Sequence, residues 1–384
     1  MYSSARRRSS PAFAMPTWVT PSQARPLGSA TVLSADQVHQ WRTAGFVAVR
    51  GIWPTELIDQ LSADNHVAFP EGGSLPGEQS IGAGMEFPAY ASSAVNEVAL
   101  HDRFSAAAAE LLGVDSPSRL RLAQAHSWAK TGRGGEALEN RGERDNDDQR
   151  MHVDFPNNSI THPASGGMDA VACLLYLDDV EGREGATAFV PCEGPHDPAY
   201  QWPLIRTPGA GGFRWINDRS VAEQYFAEKD PSTAEFRTAL YAREVQVRYS
   251  VGTALLYRLD TWHRGTPLVP NATRRVQSMI LKLAEADWIQ PTFRSGSPVL
   301  HMYHPTQTLE RLITSSSVIQ RTLLGFPPPD SNYWTSATID AVAARYPGLD
   351  PAPYRAGMAS RVQAEKQAAA AQANAHEELA QLRR

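Results

Sequence analysis

A mainly β fold with flanking helices, a double-stranded β-helix or cupin-like jelly roll, is what this sequence predicts. Short runs of alternating or continuous apolar residues recur between Arg119 and Leu283, punctuated by Gly and Pro, a pattern of many short strands. Helix signals cluster instead in the N-terminal third and at the C-terminal end. With 384 residues, 42% hydrophobic and 20% charged, the chain has ample apolar material for a sizeable core.

The elements follow in order. Arg6, Arg7 and Arg8 stand among Ser and Pro, no acidic residue precedes Asp36, and Pro11, Pro16, Pro21 and Pro26 argue against a helix, so residues 1–32 read as a disordered leader. Ser34 and Gln37 form a capping box, with Leu33 and Val38 placed as a hydrophobic staple. Gly45 stops that helix and Phe46 to Val49 continues as a strand. Pro54 opens a second helix with Leu57, Ile58 and Leu61 on one face, and a third runs through Leu100, Phe104, Ala108 and Leu111 to Gly113.

From Arg119 the period becomes two, which places Leu120, Leu122, Gln124, His126, Trp128 and Lys130 on one strand face. The Gly-rich, charged stretch Thr131 to Arg150 reads as a loop. Further strands are expected at Ala170 to Leu177, Thr187 to Val190, Val245 to Tyr249, Ala254 to Leu259 and Arg275 to Leu283. An insert, 193–244, carries Trp202, Phe213, Trp215 and Tyr225; a lid or binding loop and a packed surface excursion both fit it. The expected division is therefore a domain over 33–300 containing that insert, a helical and loop-like extension over 301–358, and an Ala-rich helical tail over 359–384.

The chemistry concentrates at His152-Val153-Asp154, answered much later by Trp262-His263-Arg264. One intervening residue on a strand puts His152 and Asp154 on the same face. Two imidazoles and one carboxylate suit one face of an octahedral iron, leaving positions open for a chelating co-substrate and dioxygen. His101, His162, His301 and His304 match no motif, and His196 does not read as a ligand. Asp260 is placed either to orient His263 or as a solvated turn residue.

Around these residues the chain resembles the phytanoyl-CoA dioxygenase family of non-haem Fe(II), 2-oxoglutarate-dependent oxygenases. The resemblance runs from roughly Leu33 to Leu283 and rests on segments in the right order: Gly45-Phe46-Val47, Tyr176-Leu177-Asp178-Asp179, Glu184 to Pro191, Gly252 to Tyr257, Trp262-His263-Arg264-Gly265, and Arg274 eleven positions beyond His263. It implies a double-stranded β-helix binding Fe(II) through His152, Asp154 and His263. Arg274 is then the anchor for 2-oxoglutarate, and Thr266, Thr187, Gln124 and Lys130 are further candidates for co-substrate contacts. The implied reaction consumes 2-oxoglutarate and O2, releases succinate and CO2, and hydroxylates a small-molecule substrate of secondary-metabolite or acyl type. Asp154 favours hydroxylation, since relatives that chlorinate carry a small residue there. Two positions depart from the family: Gly265 stands where Ser is frequent, and Cys192-Glu193-Gly194-Pro195-His196 replaces a Gly-Ser-His.

Two rivals belong to other classes: a non-redox divalent-metal hydrolase using the same ligands, which has no need of Arg274, and a catalytically silent jelly-roll binding module. The net charge of −5 offers no footprint for nucleic acid, no apolar run crosses a bilayer, and Cys173 and Cys192 alone suit a reducing cytoplasm rather than a disulfide framework. The sequons at Asn157 and Asn271 read as accidental, and a homo-oligomer is allowed. Among the basic residues only Lys130, Lys229, Lys282 and Lys366 are lysines, so any single Arg carries little information by itself.

Overall fold

The computed structural model describes residues 16–73, 79–133, 142–154, 169–201, 204–286 and 308–382. Asn157, His162, Trp202, His301 and His304 lie outside the described residues, as does the expected boundary at 300. The N-terminal part comprises β1 (Thr17–Val19), β2 (Ser22–Gln23), α1 (Ala35–Ala44), β3 (Phe46–Arg50), α2 (Thr55–Ala68), β4 (Gln79–Glu86), α3 (Ser93–Leu100) and α4 (Asp102–Leu112). It is followed by β5 (Leu120–Thr131), β6 (Ala170–Tyr176), β7 (Thr187–Phe189), α5 (Arg219–Lys229), α6 (Pro231–Ala242), β8 (Val245–Val247), β9 (Thr253–Tyr257), β10 (His263–Gly265) and β11 (Thr273–Leu283). Helices α7 (Thr308–Ser315), α8 (Val318–Leu323), α9 (Ser336–Arg345) and α10 (Ala352–Leu382) complete the chain.

Seven strands form one sheet in the order β2-β3-β9-β6-β11-β5-β4, and four form a second in the order β1-β8-β7-β10. Phe189 and Val247 of the smaller sheet share one apolar cluster with Phe46, Tyr176 and Val276 of the larger, so the two sheets face each other. Helices cover the other side of the larger sheet, where Leu61, Phe104, Leu175 and Met279 share a separate cluster. Burial on both faces explains why β6, Ala-Val-Ala-Cys-Leu-Leu-Tyr, is apolar throughout instead of alternating. The outcome is two facing sheets with flanking helices, consistent with the expected jelly roll.

Local signals hold at α1, where Ser34 and Gln37 make the capping box and Gly45 ends the helix at φ 93°. Four expectations need correction. Residues 17–23 are not disordered: β1 pairs in parallel with β8 and β2 with β3, extending both sheets. The third expected helix is two, because His101 is extended and its Nδ1 accepts the Arg103 N–H as a cap for α4. On β5 the pairing with β11 passes from Gln124–Ile280 to Leu122–Leu281. That bulge turns Leu122 and Leu120 to the helix-covered side and leaves Gln124, His126, Trp128 and Lys130 facing the second sheet. Finally, α10 crosses the expected boundary at 358/359 as one helix. The α9–α10 unit has its own aromatic cluster around Trp334, Tyr346 and Tyr354, and Gly211 of the insert donates to Arg345 O. Among the described residues no helix is long and apolar enough to cross a membrane.

Candidate metal centre

Strand β10 places His263 beside His152. The two residues form an antiparallel bridge in which each N–H donates to the other's carbonyl, at 2.9 and 2.8 Å. Side chains directly opposite in such a pair project from the same face, and the two rings stand 4.3 Å apart between centroids. Asp154, two residues on, follows the same parity. Its Oδ1 lies 3.6 Å from His263 Nε2 and 3.9 Å from His152 Nε2. One ligand atom from each of the three buried residues lies within 4.8 Å of the others.

The remaining hydrogen bonds fix which atoms are free. His152 Nδ1 faces Arg150 O at 3.2 Å and His263 Nδ1 faces Thr261 O at 2.8 Å. A ring nitrogen against a carbonyl must carry the proton, which leaves both Nε2 lone pairs aimed at Asp154. Burial, and then the neighbouring His263, hold the His152 imidazole well below its ordinary range, so it is neutral. Tyr257 donates to Asp154 Oδ2 at 2.7 Å and orients the carboxylate; Phe189 stacks on His263 at 5.5 Å. Tyr257 was not legible as a site residue, since it ends an apolar strand. Asp260 does not orient His263: both its oxygens accept from Arg258, at 2.8 and 2.9 Å.

A second group of charges lies one step along β10. A Cβ built on Gly265, on the same face as His263, would meet Lys130 Nζ at 3.5 Å and Arg274 NH2 at 3.9 Å. Arg274 is 2% exposed. Its guanidinium donates to Gly185 O and lies 5.4 Å from the Trp128 ring, while its Nε has no partner among the described residues. No carboxylate pairs with it among the described residues. Lys130 opposes it across the ladder, donating to Asp147 O at 2.6 Å and Thr266 O at 3.2 Å. Burial, and then Arg274, push the Lys130 ammonium down to about 7. Asp147 and Asp148 offset part of this for Lys130, but the buried Arg274 guanidinium has no paired carboxylate among the described residues, and such a charge is expensive unless an anion arrives.

Arg275, by contrast, points to the other side and is fully engaged, by Asp178 at 2.9 Å, Glu71 at 3.1 Å and Phe69 O at 2.6 Å. The other candidates divide. Thr187 stands opposite Gly265 and hydrogen-bonds Tyr176, within the site's wall. The Thr266 hydroxyl donates to Ala186 O at 2.8 Å, one position out of phase with Gly265. Gln124 does not join the cations: it lies six residues from Lys130 along β5, roughly 20 Å by strand rise, and donates to Ser278 Oγ at 3.4 Å.

No family model and no curated protein matches the chain. Solved structures of similar fold include the non-heme alpha ketoglutarate dependent epimerase SnoN from nogalamycin biosynthesis, 18% identical, covering 67% of this chain and 84% of that one with a TM-score of 0.40. The carbocyclase SnoK of the same biosynthesis is 14% identical over 69% of this chain and 89% of its own, with a TM-score of 0.46. HygX from Streptomyces hygroscopicus, solved with nickel and 2-oxoglutarate, is 17% identical over 66% and 88%, with a TM-score of 0.42. Likenesses at this level concern the general arrangement of strands, and the functional reading rests on the side chains of this chain.

Proposed function

We propose that the protein is a non-haem Fe(II)- and 2-oxoglutarate-dependent dioxygenase of the phytanoyl-CoA dioxygenase kind that hydroxylates a small molecule. One observation carries the reading: two bare imidazole nitrogens and a carboxylate converge at His263 of β10, and Gly265, two residues along the same strand face, neighbours Arg274, a buried guanidinium without a carboxylate partner among the described residues. The step from His263 to Gly265 is about 6.6 Å along the strand, on the scale of a short dicarboxylate whose keto-acid end would chelate the metal.

The donor set fits iron. His152 and His263 supply neutral nitrogens and Asp154 an oxygen, a mixed set suited to Fe(II) and unlike the thiolate-rich sets of structural zinc. When bound, iron and 2-oxoglutarate supply the oxidation of an unactivated C–H bond by O2, with succinate and CO2 released. The chain's own residues hold and orient. Arg274 offers a planar, two-point contact to the distal carboxylate, and Lys130 adds a second cation beside it. Tyr257 restrains Asp154 so that one oxygen faces the imidazoles. Trp128 and Val276, paired across β5 and β11, put apolar surface beside the anchor.

The same inner face suggests what the C–H donor meets. The sheet row that begins at Tyr257 runs through Ala172 and Ile280 to Gln124, and the next row through Leu174 and Ser278 to His126. Burial pushes His126 down to about 4, so the ring is neutral near pH 7. An apolar floor edged by neutral hydrogen-bonding groups favours an uncharged substrate bearing hydroxyl or carbonyl groups.

The test is anaerobic titration of Fe(II) and 2-oxoglutarate into the protein. A weak visible charge-transfer band should form with wild type and vanish in His152→Ala. Activity with Zn alone, without O2 consumption, would replace this reading with the hydrolase.

A further inference from the structure

We infer that α6 is the positioning element of the metal centre, through a clamp of Arg237 and Tyr241 on the backbone of Met151; the inference rests on the metal-site reading above. The helix starts at Asp230-Pro231, where Asp230 caps the Thr233 N–H and proline takes the first turn. Residues 236, 237, 240 and 241 then share one face. Phe236 packs edge-on against Trp262, the residue before His263, at 5.8 Å between centroids. Leu240 lies in one cluster with Met151, Val153 and Trp262, the outward-facing neighbours of the three ligands.

The polar contacts are more specific than the packing. The Met151 N–H donates to Tyr241 Oη at 2.9 Å, and Arg237 donates to Met151 O at 3.0 Å. Glu223 of α5 ties the two together, accepting from Arg237 Nε at 2.9 and 3.0 Å and from Tyr241 at 2.7 Å. The strand carrying His152 therefore bonds β10 on one edge and this clamp on the other, and Arg150 N–H also donates to Asn217 O of the insert at 2.8 Å. Without the clamp, the Met151 N–H and C=O would be stranded beside an apolar cluster, and the strand could slide relative to β10. A shift of this kind changes the bite between His152 and His263 directly, because the bridge between them, together with the Gln149–Gly265 contacts at 3.1 and 3.0 Å, is what aligns the two segments.

Removing such outer contacts typically weakens metal binding roughly 10–100-fold. The probe is Co(II) alone, titrated anaerobically and followed by its visible d–d bands, with thermal unfolding measured in parallel. Tyr241→Phe keeps the ring and its packing and deletes one oxygen. It is expected to raise the Co(II) dissociation constant about tenfold and alter the band shape, with a smaller fall in melting temperature than a core truncation gives. Leu240→Ala, on the same face, removes packing but neither polar contact, so it should lower the melting temperature and leave the Co(II) spectrum alone. Wild-type affinity and spectrum in Tyr241→Phe overturn the clamp, and so does equal spectral change in both variants, which marks a merely structural role. Retention of the bands in His152→Ala sinks the metal-site reading itself, independently of the clamp.

Discussion

Arg274 and Arg275 are adjacent, chemically identical and both buried, yet they find different partners, which makes the pair a sharp test of the proposed anchor. Arg275 is held by Asp178, Glu71 and the Phe69 carbonyl, and its own N–H donates to Asp178 at 2.6 Å. Breaking a buried ion pair by deleting one partner costs about 3–5 kcal/mol. Asp178 keeps His66 at 3.3 Å and Arg183 at 3.8 Å, so the lower end applies to Arg275→Ala. At about 2–4 °C per kcal/mol, its melting temperature should fall on the order of 6–12 °C. Arg274→Ala gives up one bond to a carbonyl and an aromatic contact, and it relieves the like charge on Lys130, so stability should hardly move. Its loss belongs to the co-substrate. An uncompensated carboxylate costs about 3–4 kcal/mol, or roughly two to three decades in 2-oxoglutarate affinity, with metal binding intact. The assay is 2-oxoglutarate titration of both variants under anaerobic Mn(II), beside thermal melts. Wild-type affinity in Arg274→Ala, or lost affinity at an unchanged melting temperature in Arg275→Ala, would refute the assignment.

Further outcomes follow from neighbouring groups. Free Lys130 sits at about 7, so at pH 8 it is mostly neutral, and an incoming carboxylate should restore the ammonium. Calorimetry of 2-oxoglutarate binding in two buffers of different ionisation enthalpy should then show proton uptake at pH 8 and none at pH 6; equal uptake at both would dissociate Lys130 from the anchor. Burial holds His126 at about 4, below its ordinary 6.5, so between those values the unfolded chain binds more protons and folding stability falls as pH drops. The contribution is on the order of 2 kcal/mol after discounting its partial exposure, and urea melts of His126→Leu from pH 7 to 4 should show a flatter dependence than wild type. Tyr257→Phe frees Asp154 Oδ2 and should weaken Mn(II) binding roughly tenfold; unchanged affinity would deny it an orienting role.

How far the fold could be read from sequence depended on whether a signal was local. Ser34 with Gln37, and Gly45 at positive φ, act within one helix and its caps, and they predict α1 as found. The run at β6 is equally local, because burial on both faces leaves no polar position to confuse the pattern. The β5 bulge is different. Alternation in the sequence continues through Leu120 and Leu122, but the pairing with β11 inserts one residue and turns those leucines over. Strand β1 was illegible for a related reason: its backbone pairs with β8, more than two hundred residues away, and its own side chains are largely exposed.

The site shows the same division. The spacing of His152 and Asp154 encodes a shared face directly, and the bridge to His263 completes it. Parity along β11 could not choose between Arg274 and Arg275, because both faces of that strand are covered and apolar neighbours flank each. What separates them is the partner each finds: Asp178 and Glu71 on one side, Lys130 and an orphaned Nε on the other. The insert was ambiguous for want of an apolar stripe; its helix start at Asp230-Pro231, a cap followed by proline, went unread in the sequence and is seen in the structure. Its purpose lies in Tyr241 and Arg237, whose polar ends address the main chain of Met151 instead of any side chain. A contact that reads only backbone leaves no complementary residue type on its partner, so that half of the metal centre becomes visible only when the two segments are brought together.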